Sequence, residues 1–357
     1  MVSLFKKPVF WLGAALPLAV FAAMWRVSSR RPRLLGSLDS PAQALAVSRD
    51  GSRVVVLTEN GAARFWTSQN NDFLGLPFDG RGAFRSTSSG LGGADSPVLQ
   101  FWPDEKSVFA SSSLRADTSG EMARVWSLPD RKPVWSALPN GKDDFSRFWL
   151  SSDGTRLVQR TWTWVKIFDL TKSSTPRASE LSRSARNFTL VRRFDFHNTK
   201  TLMPQGLALS PDNKTLVVLS SSGPLEFWDV VTAKRTLQTP PPPRPQGNIS
   251  ALSLSPDGRF IALCENMGVF VWNTATSVWT QASSYSSFER SIAWASDSRS
   301  LWTGGDKVEQ WSAPDLKPLR TLPVSGPVAL SSDGKTLVTR NVPRTGEGNG
   351  VWAWNIG

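Results

Sequence analysis

The chain has 357 residues, about two ordinary domains by length alone, with 17 Trp and 19 Phe but one His (His197), one Cys (Cys264) and one Tyr (Tyr285). One Cys excludes an internal disulfide framework and any multi-thiolate metal site, and one His leaves no second imidazole for a His-rich zinc or iron centre. The net charge of +12 points to an acidic partner, a nucleic acid or an anionic membrane surface.

The first predicted element runs from Pro8 to Trp25, 18 residues without a charge. As a helix it is about 27 Å long, close to the ~30 Å hydrocarbon core of a bilayer. Lys6 and Lys7 precede it, and Arg26, Arg30, Arg31 and Arg33 follow. Trp11 and Trp25 stand near its ends, where indoles favour the headgroup level, and Pro17 in its middle is tolerated in a membrane helix. The expectation is an uncleaved single-pass anchor over about 8–25, with residues 1–33 forming stub, anchor and basic linker. A cleaved signal peptide ending near Val20 and Ala22 is the alternative, opposed by the four arginines close behind. A core helix is the other, and it would need complete burial. The arginine excess favours a cytoplasmic propeller over an exterior one.

From Leu34 to Gly357 one unit recurs seven times. A short apolar stretch leads to Ser-x-Asp-Gly or a variant, then an apolar run, a second turn, and a strand ending in an aromatic and a small polar residue. The turn aspartates and strand-end aromatics pair as Asp50 with Trp66, Asp104 with Trp126, Asp153 with Phe168 and Asp212 with Trp228. Asp257 with Trp272, Asp297 with Trp311 and Asp333 with Trp354 complete the set. The aspartates are spaced 54, 49, 59, 45, 40 and 36 residues apart, which implies insertions on a period of ~40–45 residues. The alternating apolar residues predict an inner strand, the Asp-Gly turn a reversal into a second, and Gly/Asn-rich turns a third. Segments such as KPVWSALP, KRTLQT and KPLRTLPV supply a fourth.

On these residues the sequence resembles the WD40 family, in a divergent bacterial form with Ser-Pro-Asp-Gly turns. The Trp-Asp dipeptide survives only at Trp228-Asp229, with Phe168-Asp169 as a variant, and the Gly-His dipeptide is absent. The family's buried Asp–His–Ser–Trp network therefore cannot form. The resemblance implies an all-β, seven-bladed propeller that serves as an interaction platform.

The seventh unit ends in its third strand at GVWAWNIG, and RPRLLGSLDSPAQALAVS parallels the segment that joins units six and seven. Leu34–Leu38 is therefore expected as the outermost strand of the last blade, closing the ring and removing open edges. Outer strands run from the face of the first turns, called the bottom, towards the top, so the anchor enters at the bottom. The eight-residue linker from Arg26 spans at most ~28 Å. Insertions at Asp79–Ser96, Ser111–Glu121, Thr239–Gly247 and Arg340–Gly350 map to the top, where a scaffold leaves loops free to carry specificity or to drift. Pro240–Pro245 reads as polyproline II, either a ligand for an aromatic groove or a stiff connector.

Thr171–Lys200 carries seven basic residues against Glu180 and Asp195. Residues 187–196 alternate as a fourth strand and 173–186 lie in a bottom loop. Arg177, Arg183, Arg186, Arg192 and Arg193 are candidates for an acidic partner or anionic lipid headgroups, against a plainly solvated loop. His197 lacks a Gly-x-Ser-x-Gly elbow, Cys264 reads as a buried hydrophobe, and calcium loops, P-loops and dinucleotide glycine fingerprints are missing. No catalytic, cofactor or metal site is expected. Six basic and no acidic residues lie in 1–33, leaving the propeller only +6, so a nucleic acid or a small-molecule substrate is not favoured. The expected role is a membrane-anchored scaffold whose partners are other proteins, integral membrane subunits above all. The alternatives are an exported propeller hydrolase or lactonase-like enzyme, with carboxylates lining the channel, and a nucleic-acid-binding propeller.

Overall fold

A computed structural model describes residues 32–76, 98–111, 123–137, 147–161, 164–171, 189–196, 204–220, 224–243, 249–265, 267–284, 291–340 and 349–357. Among them, strands pair antiparallel into seven four-stranded sheets. β1 (Arg33–Leu38) comes first. Blade one is β2 (Ala42–Val47), β3 (Arg53–Thr58), β4 (Ala63–Thr67) and β5 (Phe73–Leu76). Blade two is β6 (Val98–Phe101), β7 (Ser107–Ser111), β8 (Ala123–Ser127) and β9 (Lys132–Ala137). Blade three is β10 (Arg147–Leu150), β11 (Arg156–Arg160), β12 (Trp164–Asp169) and β13 (Thr189–Asp195). Blade four is β14 (Pro204–Leu209), β15 (Thr215–Ser220), β16 (Leu225–Asp229) and β17 (Arg235–Gln238). Blade five is β18 (Ile249–Leu254), β19 (Phe260–Glu265), β20 (Gly268–Asn273) and β21 (Val278–Ser283). Blade six is β22 (Ser291–Trp294), β23 (Ser300–Gly304), β24 (Val308–Ser312) and β25 (Pro318–Leu322). Blade seven is β26 (Val328–Leu330), β27 (Thr336–Arg340) and β28 (Asn349–Asn355), with β1 as its fourth strand.

The chain is thus a seven-bladed β-propeller, closed as its sequence predicts. Arg33 pairs with Ala353, Leu34 with Trp352 and Leu38 with Asn349. Leu35 falls at a bulge in this register and is buried among Trp66, Val338 and Val351, between blades seven and one.

Each strand-end aromatic packs against the preceding blade. Trp126 joins Val55 and Phe65 of blade one, and Phe168 joins Phe109 and Val125 of blade two. Trp272 is buried with Val217 and Phe227 of blade four, and Trp311 with Phe260 and Val271 of blade five. The apolar core is therefore divided into seven seams, one per blade interface. The second and third strands read as near-continuous apolar runs because both their faces are covered.

The turns between first and second strands share one geometry. In every blade the repeat Asp accepts the amide of the residue two positions on, at 2.9–3.1 Å. Five blades add Ser48, Ser151, Ser210, Ser255 or Ser331. Its hydroxyl donates to that Asp at 2.5–2.7 Å and accepts the amide that opens the second strand. The residue after the Asp has a left-handed backbone in all seven turns. It is Gly51, Gly154, Gly258 or Gly334 in four, and Glu105, Asn213 or Ser298 in three.

These turns also touch one another around the ring. The Arg53 guanidinium pairs with Glu105, and Gly154 lies against Pro103. Asn213 donates to Asp153 at 2.7 Å, Gly258 faces Pro211, and the Asp257 amide donates to Ser298 Oγ at 3.2 Å. Gly334 approaches Ser296, and the Asp333 amide donates to the Arg49 carbonyl at 3.1 Å. The bottom face is consequently a closed ring of interlocked turns.

Candidate functional site

Strand pairing fixes which end of the propeller each functional segment occupies. Arg33, at the start of β1, pairs near the C-terminal end of β28, the end at which Asn355 meets Thr336. That end adjoins the Asp333 turn, so β1 begins at the bottom. Arg33 is held there by two contacts: its Nη2 donates to Asn71 Oδ1 at 2.5 Å, and its guanidinium lies 5.4 Å from the Trp66 ring centroid. Trp11, Pro17, Trp25, Arg26, Arg30 and Arg31 lie outside the described residues. Among the described residues no helix is long and apolar enough to cross a membrane.

The repeat aspartates are structural carboxylates, each dispersed in its own turn. Hydrogen bonds from the Ser48 hydroxyl and the Ser52 amide and hydroxyl hold Asp50 down, from an ordinary 3.8 to about 2. At Asp257, burial raises the pKa, but bonds from Ser255 and Arg259 outweigh it and bring it to about 2. Asp212 and Asp333 are lowered by their serines, and Asp153 by Ser151, Thr155 and Asn213 against the opposing effect of burial. A carboxyl whose folded pKa is depressed stabilises the fold above its unfolded value and ceases to do so as pH falls through the folded one. Urea unfolding midpoints should therefore fall as pH drops from about 4 to about 2. The double variant Asp50→Asn, Asp257→Asn should flatten that slope, and an unchanged slope would refute the assignment.

Three of the strand-end indoles also have polar roles. Trp311 Nε1 donates to Thr303 Oγ1 at 3.0 Å, Trp354 Nε1 to Thr339 Oγ1 at 2.9 Å, and Trp228 Nε1 to Glu226 at 3.1 Å. Glu226 is fully buried and also accepts from Arg235 at 3.0 Å. Sequence reasoning missed these pairs. The signal was a Thr two residues beyond the cross-strand partner of the Trp: Leu301 faces Trp311, and Leu337 faces Trp354.

The basic candidates divide. Arg177, Arg183 and Arg186 lie outside the described residues, as does His197. Arg192 donates to the Val231 carbonyl of blade four. Arg193 pairs with Asp195 at 2.7 Å and stands 5.6 Å from the Trp164 ring, whose other neighbour is Lys166 at 4.3 Å. Arg192 thus ties the outer strand of blade three to blade four, and Arg193 is held along that strand. The proline run is also engaged within the chain: Trp279 Nε1 donates to the Pro240 carbonyl at 3.0 Å, and Pro242 is buried. It connects blades four and five.

Along the axis, the inner strands bound a cavity between blades two and five. Its lining includes Gln100, Trp149, Ala208 and Ser253, with no ionisable side chain among the described residues. Among the described residues no cluster of three His, Cys, Asp or Glu could hold a metal ion, and Cys264 is buried.

With this geometry in view, comparison with solved structures finds a chain of hydrazine synthase from Kuenenia stuttgartiensis. The TM-score is 0.60 over 86% of this chain and 94% of that one, at 16% identity. The likeness shows the fold. No protein-family model and no curated protein sequence matches the chain. Shared function does not follow from a propeller scaffold, because unrelated activities are grafted onto the same fold.

Proposed function

We propose that this chain is a membrane-anchored, WD40-like interaction propeller, a scaffold or accessory subunit that holds protein partners at a bilayer surface. One observation carries the reading: the strand that closes the ring is the one that leads from the apolar segment. β1 starts at the bottom face, and Arg33, the last residue of the basic linker, is clamped by Asn71 and Trp66. An anchor joined there would present one fixed face to the membrane. Arg26, Arg30 and Arg31 would then meet anionic headgroups at about 1 kcal/mol each, and the top would face partners. The interlocked turns support this role, since a rigid disc holds its loops in fixed relation.

Two measurements test the reading. The full chain should stay with membranes through an alkaline carbonate wash, whereas a chain beginning at Pro32 should be released. In mild detergent the full chain should co-purify with integral membrane proteins. Release of the full chain by carbonate removes the anchor, and a strictly monomeric species removes the scaffold role.

A further inference from the structure

The turns that lead from third to fourth strands lie on the bottom face, outside those of the repeat aspartates, and they too are built alike. In blades one, four, five and six the amide of Asn71, Ala233, Ser277 or Leu316 donates to the carbonyl four residues before it, at 2.9–3.1 Å. Each of these residues has a left-handed backbone, as Arg131 has in blade two. Side chains beside these turns are therefore held in place. In blade four the Val231 carbonyl also accepts from Arg192 of blade three.

The rim so formed has two unlike halves. Seven large apolar side chains stand exposed among the described residues, and four of them share this level on consecutive blades. They are Leu190 at 48%, Val231 at 67%, Val278 at 55% and Leu319 at 55%. Val231 stands in its turn, Leu190 faces Phe168, Val278 faces Asn273, and Leu319 follows the Trp311–Pro318 pair. All four thus lie within about two residues, roughly 7 Å, of the bottom end of their sheets. At the places of Val231 and Val278, blade one has Gln69 and Asp72, and blade two has Pro129 and Lys132. The apolar half runs from blade three to blade six, next to the blade that β1 completes.

Each of the four is a single side chain set a blade's width from the next, whereas protein interfaces bury a contiguous apolar patch. Points at one level on a rigid rim fit a plane. Exposed Thr232, Lys234, Thr276 and Lys317 stand among them, against Asp315. Apolar tips beside hydroxyls and ammonium groups match the boundary between headgroups and acyl chains, where each finds its own kind of partner.

We infer that the bottom rim of blades three to six rests on the lipid bilayer, with Leu190, Val231, Val278 and Leu319 entering the headgroup–acyl boundary. The disc leans towards this side, and blades one and two stand off. This rests on the membrane-anchored reading above: the anchor supplies attachment, and the rim supplies orientation.

The test is fluorescence quenching of the full chain in phosphatidylcholine–phosphatidylglycerol vesicles whose acyl chains carry bromine. A nitrobenzoxadiazole probe is attached at Val278→Cys, Lys132→Cys or Met267→Cys in turn. Met267 is exposed in the top turn of the same blade as Val278. The parent chain, whose single cysteine is buried, sets the background. Quenching at position 278 should be at least about threefold stronger than at either other position. Val231→Asp combined with Leu319→Asp should abolish that difference without releasing the chain from the vesicles. Both side chains are exposed, so the thermal midpoint should hold. Equal quenching at 278 and 132, or a difference that survives the double variant, would overturn the rim contact and leave the anchor standing. A blue-shifted but unquenched probe at 278 would do the same, and would give the rim to a second copy of the chain. Failure of the full chain to float with the vesicles would remove anchor and rim together.

Discussion

Leu35→Asp should destabilise the propeller by about 4 kcal/mol or more, whereas Leu34→Asp on the same strand should change stability by less than about 0.5 kcal/mol. The two positions differ in what surrounds them. Leu34 is 46% exposed on the outer edge, while Leu35 is 3% exposed and packs into the seam between blades seven and one. Truncating a buried Leu costs about 2–5 kcal/mol, and an unpaired carboxylate in its place adds a desolvation penalty. The cost does not stay local. β1 supplies the backbone ladder that joins the N-terminal part of the ring to blade seven, beside the Asp333–Arg49 bond and the Arg340 bond to the Ala42 carbonyl, and Gly36 packs closely on Phe73 of blade one. Losing β1 leaves β28 with an open edge and loosens the first blade from the last. Urea denaturation of both variants measures the difference, and equal effects at the two positions would show that closure does not run through β1.

The closure was legible because the segment after the arginines repeats the linker between units six and seven, and because GVWAWNIG ends on a third strand. Blade number was equally plain. A turn that needs Asp at one position and a left-handed residue at the next leaves a mark wherever it recurs. Blades two and six show how far that mark can fade: Trp102 and Ala295 replace the serine, and Glu105 and Ser298 replace the glycine, yet the Asp104 and Asp297 bonds persist. What could not be read was anything set by distance between blades. Whether Asn213 reaches Asp153 depends on the angle at which two sheets meet, and periodicity along the chain carries no such angle. Arg192 and Arg193 were similarly opaque, since only the neighbouring blade and the Trp164 ring reveal what they hold.

The second expected result isolates those contacts between blades. Gly51→Ala should cost about 2–4 kcal/mol, and Gly258→Ala only about 1 kcal/mol. Both glycines have φ +72°, so the backbone penalty for adding a Cβ is the same. That penalty is affordable in this turn, since Glu105, Asn213 and Ser298 hold φ 54°, 58° and 60° at the equivalent position. The surroundings differ. A Cβ on Gly258 would meet nothing closer than Pro211 Cδ at 3.5 Å, whereas one on Gly51 would sit 2.3 Å from Thr336 Oγ1 and 2.7 Å from Thr336 Cβ. Thr336 opens the second strand of blade seven, and its amide is bound by Ser331, so it cannot withdraw without loosening its own turn. The clash therefore pushes blades seven and one apart at the bottom face, next to the closure. Thr336→Ala removes the hydroxyl but keeps the Cβ, so it should recover only part of the loss. A double-mutant cycle between the two positions should give a coupling of about 1 kcal/mol or more. Additive effects would show that the turns of blades one and seven do not touch, and that closure rests on the strand pair alone.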